Sequence, residues 1–228
     1  MIMRKIIEIT LKTIKSNLKN MISRLRGLVD HDRFSRGLLY QYWRQPNDEF
    51  NAPHLYIPQL ERSKLLLKLI KEYVDFSGKI LEIGCNVGRN LNYLFNAGFK
   101  HLEGNEISKE AIDLMVKTYP KMAKEIKIYN NPVEWVIKNY ESNYFDLVFT
   151  MAVLQHIHPD SEWIFPEMAR ITKKYLITVE DEKGVSWRHF PRNYKQVFDS
   201  CGMKQIYELN CKGIKGFNSN FWARVFIK

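Results

Sequence analysis

Residues Ile80-Leu-Glu-Ile-Gly-Cys-Asn-Val-Gly-Arg-Asn90 form a short apolar run that breaks at one glycine, turns, and resumes as a helical pattern after a second. Gly84 lets the backbone leave a strand tightly, Gly88 lets a helix begin close to a ligand, and the helix N-terminus presents free N–H groups at the positive end of its dipole. A tight turn between strand and helix with nothing bound uses the same residues, so the loop alone decides little. The next β-like run, Leu102-Glu-Gly-Asn-Glu-Ile-Ser108, ends in Glu106, 24 residues after Glu82. A carboxylate at the tip of a second strand is placed to accept both hydroxyls of a ribose. It is also placed to serve the N-terminus of a helix capped by Ser108, and both readings stay open.

Outward from this pair, β-like runs at 79–84, 101–107, 125–129, 145–150 and 174–180 alternate with helical stretches that begin near Gly88, Ser108, Val133 and Asp160. The first stretch ends at Gly98, a residue suited to a helix C-terminus. Such alternation predicts an α/β protein: right-handed βαβ units and a mostly parallel sheet with helices on both faces. A helix around 193–200 and two closing runs, 205–209 and 221–227, predict a terminal antiparallel hairpin and bring the sheet to seven strands. Upstream, a helix is expected after Pro58, with Leu66, Leu69 and Ile70 among the residues to bury. Residues 29–58 hold the aromatic knot Tyr40, Tyr42 and Trp43 and the breakers Pro46, Asn47, Asp48 and Pro53, which read as an irregular connector.

The 228 residues are 45% hydrophobic and 26% charged, enough apolar material for a real core. The net charge of +10 is uneven: residues 1–28 hold seven basic residues against the single acid Glu8, leaving +4 for the remainder. In that segment Ile7, Leu11, Ile14, Leu18, Met21, Leu25 and Leu28 recur at helical spacing, so the excess charge marks one basic amphipathic N-terminal helix. The chain divides into this helix and the connector, 1–57, and a domain at 58–228. Three cysteines without CxxC spacing exclude a zinc knuckle or disulfide framework and suit a reducing cytoplasm. The longest apolar stretch, 147–154, falls short of the ~20 residues that span a bilayer.

From Pro58 to the C-terminus the sequence resembles the class I S-adenosylmethionine-dependent methyltransferases, of the type 11/12 kind. The glycine segment is similar to that family's E/DxGxGxG motif, with Asn86 in place of the middle glycine. Glu106 matches the family's acidic ribose ligand. Asn130-Asn131-Pro132 stands where the family has Gly-Asp-Ala, which implies that Asn131 hydrogen-bonds the adenine edge. Residues 145–159 look like the fourth strand and the loop after it. The resemblance implies a Rossmann-like fold, S-adenosyl-L-methionine as cofactor, and a cofactor set of Glu82, Gly84, Cys85, Asn86, Gly88, Glu106, Ile107, Asn131 and Met151. No GxxxxGK[ST] is present, which disfavours a nucleotide triphosphatase. An NAD-dependent oxidoreductase is the nearest enzyme alternative, although Asn86 breaks GxGxxG.

Methyl transfer from a sulfonium is an in-line displacement governed by positioning. An oxygen or nitrogen acceptor also needs a base or orienting group, for which His156 is the first candidate and His189 the second. Trp187, Arg188, Tyr42 and Trp43 combine stacking faces with donors, which suits a sugar and its hydroxyls, or a base. Glu180-Asp181-Glu182 offers carboxylates for a divalent ion, but Thr150, Met151 and Ala152 end the fourth strand where a catechol-type site would need an acid. A metal-free site is therefore expected, with the triplet a solvated turn or a site for acceptor hydroxyls. The expected acceptor is a small molecule or saccharide, lipid-linked if residues 1–28 hold the chain peripherally at the inner face of an anionic membrane. An RNA or protein acceptor, or a non-catalytic cofactor-binding scaffold, are the alternatives.

Overall fold

The computed structural model describes residues 36–46 and 50–228, and the amphipathic stretch 1–28 lies outside them. Seven strands form one sheet: β1 (Ile80–Ile83), β2 (Leu102–Asn105), β3 (Lys127–Tyr129), β4 (Phe145–Met151), β5 (Thr172–Asp181), β6 (Lys204–Asn210) and β7 (Phe221–Ile227), in the order β3-β2-β1-β4-β5-β7-β6. The first five are parallel, and β7 runs antiparallel to both β5 and β6. The closing hairpin thus places its second strand inside. β7 is mostly buried, whereas β6 at the edge alternates between exposed and half-buried residues.

The helices are α1 (Arg36–Arg44), α2 (Leu60–Tyr73), α3 (Arg89–Ala97), α4 (Lys109–Thr118), α5 (Pro120–Glu125), α6 (Val133–Val136), α7 (Ile164–Ile171) and α8 (Tyr194–Ser200). Two apolar clusters sandwich the sheet. Leu66, Ile70, Leu91, Leu94 and Met115 pack with Leu147, Phe149 and Ile177 on one side, while Ile164, Met168, Tyr194 and Phe198 pack with Leu81, Val148 and Leu176 on the other. Burial on both faces is why β1 and β4 read as continuous apolar runs rather than alternating ones.

Some expectations are corrected. Residues 36–44 are helix, not irregular connector, because Leu39, Tyr40 and Trp43 share a face and the prolines fall beyond its end. Helix α5, missing from the sequence reading, starts at Pro120, where an absent N–H costs nothing. Helix α7 begins at Ile164, later than Asp160, because His158 Nδ1 accepts the Asp160 N–H at 3.1 Å and caps an intervening 3-10 turn, Pro159–Ser161. The acidic triplet is not a solvated turn. Glu180 is fully buried and accepts the Val153 N–H at 2.9 Å, and Asp181 accepts the N–H groups of Lys183 and Gly184. Glu182 forms a fork-to-fork ion pair with Arg224 at 2.7 and 3.0 Å.

Candidate active site

The loop after β1 is shaped by three left-handed residues, Gly84 (φ 69°), Asn86 (φ 48°) and Gly88 (φ 68°). A Cβ on Gly84 would lie 2.5 Å from Val153 Cγ2, so glycine lets this loop close against the loop after β4. Asn86 occupies the position of the family's middle glycine because asparagine tolerates the left-handed region, and its Oδ1 accepts the Val87 N–H at 2.8 Å. The turn survives the replacement. Glu106 joins the two loops: Oε2 accepts the Asn86 N–H and Oε1 the Ser108 N–H, each at 2.8 Å. It therefore does serve the start of α4, which Ser108 caps by accepting the Ala111 N–H. About half of its four or so acceptor sites remain for a ligand. Burial pushes its pKa up, against the pull of those N–H bonds.

A cavity opens beyond the carboxyl ends of the strands, as an open parallel sheet requires. Glu82, Gly84, Cys85, Asn86, Glu106, Ile107, Asn131 and Met151 all line it. Asn131 is held by its main-chain carbonyl, which accepts from Asn105 Nδ2 at 3.1 Å. Gly88 does not itself line the cavity, and a Cβ there would lie 2.7 Å from Met115 Sδ, so its glycine serves the packing of α3 on α4. Glu82 Oε1 accepts from Asn90 Nδ2 at 2.7 Å, while the buried Oε2 has no protein partner. Burial raises the pKa of Glu82 to about 8.

Arg89 and Asn90, which the sequence reading passed over, also line this end. The Arg89 guanidinium donates to Ser63 Oγ and the Tyr56 carbonyl, each at 2.8 Å, tying α3 to α2 and the turn before it. Their place directly after the glycine turn was the available signal. Their burial, however, comes from α2 crossing α3, which no local pattern shows.

Helix α1 closes the other end with Arg36, Leu39, Tyr40 and Trp43, opposite His156 and His158 from the loop after β4. The Trp43 and His156 rings lie 4.4 Å apart. His156 Nδ1 is 2.7 Å from the Arg188 carbonyl, and its Nε2 is 3.3 Å from Gln155 Nε2. Burial, followed by the nearby His189, lowers its pKa well below the ordinary value, so the ring is neutral at neutral pH.

Four acceptor-side candidates stand back from the cavity. His189 does not line the cavity: its ring packs 4.6 Å from that of His156, its Nδ1 is 2.6 Å from Ser186 Oγ, and burial lowers its pKa to about 4. Tyr42, Trp187 and Arg188 do not line it either. The helical period of α1 turns Tyr42 away from the face that carries Leu39 and Trp43. Tyr42 meets Trp187 at 5.1 Å and the Arg188 guanidinium at 5.0 Å, which leaves those residues bracing the lid helix. Among the described residues, no group of three or more His, Cys, Asp or Glu side chains could hold a metal ion.

Five parallel strands extended by an antiparallel pair, with a glycine loop after β1 and an acid after β2 on one cavity, define the class I methyltransferase fold. Residues 81–176 match the methyltransferase domain family. The chain is 27% identical over 118 residues to phosphoethanolamine N-methyltransferase 2 of Caenorhabditis elegans, a match that spans 50% of this chain and 26% of that relative's length. The magnesium protoporphyrin IX methyltransferase of Synechocystis PCC 6803, solved with SAH bound, superposes with a TM-score of 0.65 at 11% identity, covering 85% of this chain and all of that one. A SAM-dependent methyltransferase of Leishmania major gives 0.64 at 13% identity, covering 84% and 82%. Residues 81–176 thus form a methyltransferase domain on a fold shared with S-adenosylmethionine-dependent methyltransferases, and its cofactor is S-adenosylmethionine.

Proposed function

We propose that this chain transfers a methyl group from S-adenosylmethionine to a small-molecule or saccharide acceptor bound beneath α1. The observation that carries the reading is one cavity running from Glu106 to the wall made by Trp43 and His156. The bound cofactor supplies a methyl group activated on a sulfonium. Glu106 is assigned to the ribose hydroxyls and Asn131 to the adenine edge. Glu82, with one oxygen unpartnered, is assigned to the cofactor's ammonium group, since a cation there would satisfy that oxygen and favour the ionised carboxylate. This donor set fits a cationic nucleoside better than a dinucleotide. Glu106 already takes the Asn86 and Ser108 N–H groups, and the Gly88 N–H is spent on the Cys85 carbonyl at 2.8 Å, so the loop keeps few donors for a pyrophosphate.

On the acceptor side, His156 is read as an orienting wall, because both of its nitrogens are engaged. The leading acceptor is a saccharide of surface-glycan biosynthesis. The support passes from Trp187 and Arg188 to Tyr40 and Trp43, whose faces suit a sugar ring, and to Arg36 and Glu134, which offer a donor and an acceptor for hydroxyls. The test is to incubate the protein with methyl-labelled S-adenosylmethionine and separated cell lipids, RNA, proteins and soluble metabolites. Label in a soluble or lipid-linked saccharide supports the acceptor. Label confined to RNA or protein overturns it, and cofactor binding without label in any fraction makes the chain a scaffold.

A further inference from the structure

We propose that Gln155 is a positioning residue that holds His156 as a neutral ring with its proton on Nδ1, so that this wall of the cofactor cavity carries no positive charge. The hydrogen-bond assignment stands alone; its purpose rests on the methyl-transfer reading.

Two main-chain groups with fixed roles set the direction of the bonds. The Asp181 N–H can only donate, and it lies 2.7 Å from Gln155 Oε1. The amide oxygen therefore faces β5, and the NH2 group faces the other way, toward His156 Nε2 at 3.3 Å. The Arg188 carbonyl can only accept, and it lies 2.7 Å from His156 Nδ1, so Nδ1 carries the proton. Nε2 is left with its lone pair and accepts from Gln155. The chain of bonds has one direction, from Asp181 through Gln155 and His156 to Arg188.

A proton on Nε2 would set two donors against each other, a cost beyond that of desolvating a charge. Gln155 has little freedom to give way, since it is buried and its carbonyl accepts the Phe190 N–H at 2.8 Å. Among the described residues, the hydrogen-bond partner of Nε2 is Gln155 Nε2. The 186–190 segment brings the His189 ring and the Arg188 guanidinium, α1 brings the uncharged Trp43, and Glu180 binds main-chain N–H groups of the loop. The arrangement matters because the cofactor is a sulfonium cation and its product, S-adenosylhomocysteine, is not. An imidazolium on the wall would weaken the first relative to the second.

The test is long-range 1H–15N correlation of the His156 ring in the full chain, assigned through His156→Gln. In the wild type Nδ1 should be protonated and Nε2 bare, unchanged between about pH 8 and 5.5. In Gln155→Glu a carboxylate oxygen replaces the NH2 donor, so both nitrogens should carry protons at about pH 7. In Gln155→Leu the ring should titrate at higher pH than in the wild type. Calorimetry then supplies the second readout: the ratio of S-adenosylmethionine to S-adenosylhomocysteine affinity should hold constant over that range in the wild type and fall several-fold on acidification in Gln155→Leu. A wild-type ring protonated at Nε2, or titrating near the ordinary value of 6.5, overturns the proposal. So does a Gln155→Leu ring that titrates where the wild type does. Should Gln155→Glu fail to fold, the wild-type and Gln155→Leu rings still decide. A wild type with the expected ring state that binds neither cofactor form refutes the methyl-transfer reading and leaves the hydrogen-bond assignment standing.

Discussion

Glu106 and Glu82 are both buried on the cavity, yet the first accepts two main-chain N–H groups while the second leaves an oxygen without a protein partner. Glu106→Ala should weaken S-adenosylmethionine binding by about 1.5 to 3 kcal/mol, the scale of a hydrogen bond to a charged group. Unchanged affinity by calorimetry, in a variant that folds, rules out the ribose role. Glu82 responds to pH. With its pKa raised to about 8, it is protonated at neutral pH, and a cation bound beside it lowers that value. Cofactor binding at about pH 7 should therefore release up to ~1 proton, visible as a dependence of the binding enthalpy on the buffer's ionisation enthalpy. Glu82→Gln should abolish that dependence. The same shift governs stability without ligand. A folded pKa above the usual 4.5 gives a contribution fully present below 4.5 and lost as pH rises through 8, so the protein should become easier to unfold in urea toward alkaline pH. Glu82→Gln should flatten that slope, leaving the part due to Glu103, Glu106 and Glu180, which burial shifts in the same direction.

Strand β7 shows how the sheet is finished. Its Arg224 lies opposite Thr178 of β5, forks onto Glu182, and reaches Glu208 of β6 at 2.7 Å, so one guanidinium holds three segments together. Arg224→Met should destabilise the fold by about 3 to 5 kcal/mol, because Glu182 is left buried and unpaired. Adding Glu182→Gln should restore much of the loss in urea unfolding. Equal instability of the single and double variants would mean that the guanidinium acts through packing alone. Strand β1 was legible because an apolar run, a glycine turn and a helical period follow one another within ten residues, and β4 because it is one nearly continuous apolar run. Helix α1 was not, since nine residues give only two turns of amphipathic pattern and its aromatic residues mask the period. Sites divided the same way. Glu82 and Glu106 sit at strand ends, where the sheet itself fixes their position, and both line the cavity. His189, Trp187 and Arg188 lie beyond a strand end, on a segment whose path depends on α1 and on the loop after β4. Sequence proximity to β5 therefore does not put them on the cavity wall, which His156 does line.

Charge separates the chain into two parts at the scale of the whole molecule. Residues 1–28 carry most of the +10, on a segment in which seven of the apolar residues recur at intervals of four and three. Among the described residues, no helix is long and apolar enough to cross a membrane. Attachment to an anionic lipid surface would use both properties of the segment at once. The apolar stripe would enter the interface, while Lys12, Lys15, Lys19 and Arg24 would meet headgroups at roughly 1 kcal/mol each. The competing use is a coiled-coil seam, for which the same spacing serves. A segment with seven basic residues against one acid, however, repels a parallel copy of itself. Flotation separates the two: full-length protein should rise with anionic vesicles and not with neutral ones, should be released by salt because surface charges are screened, and should lose binding when residues 1–28 are removed. Full-length protein that stays behind at low salt would assign the stripe to the fold or to a second subunit. Binding that persists without residues 1–28 would move the lipid contact onto the catalytic domain. The expected result would bring a lipid-linked acceptor and the cavity under α1 to the same surface, with the attachment point immediately preceding the lid helix in the chain.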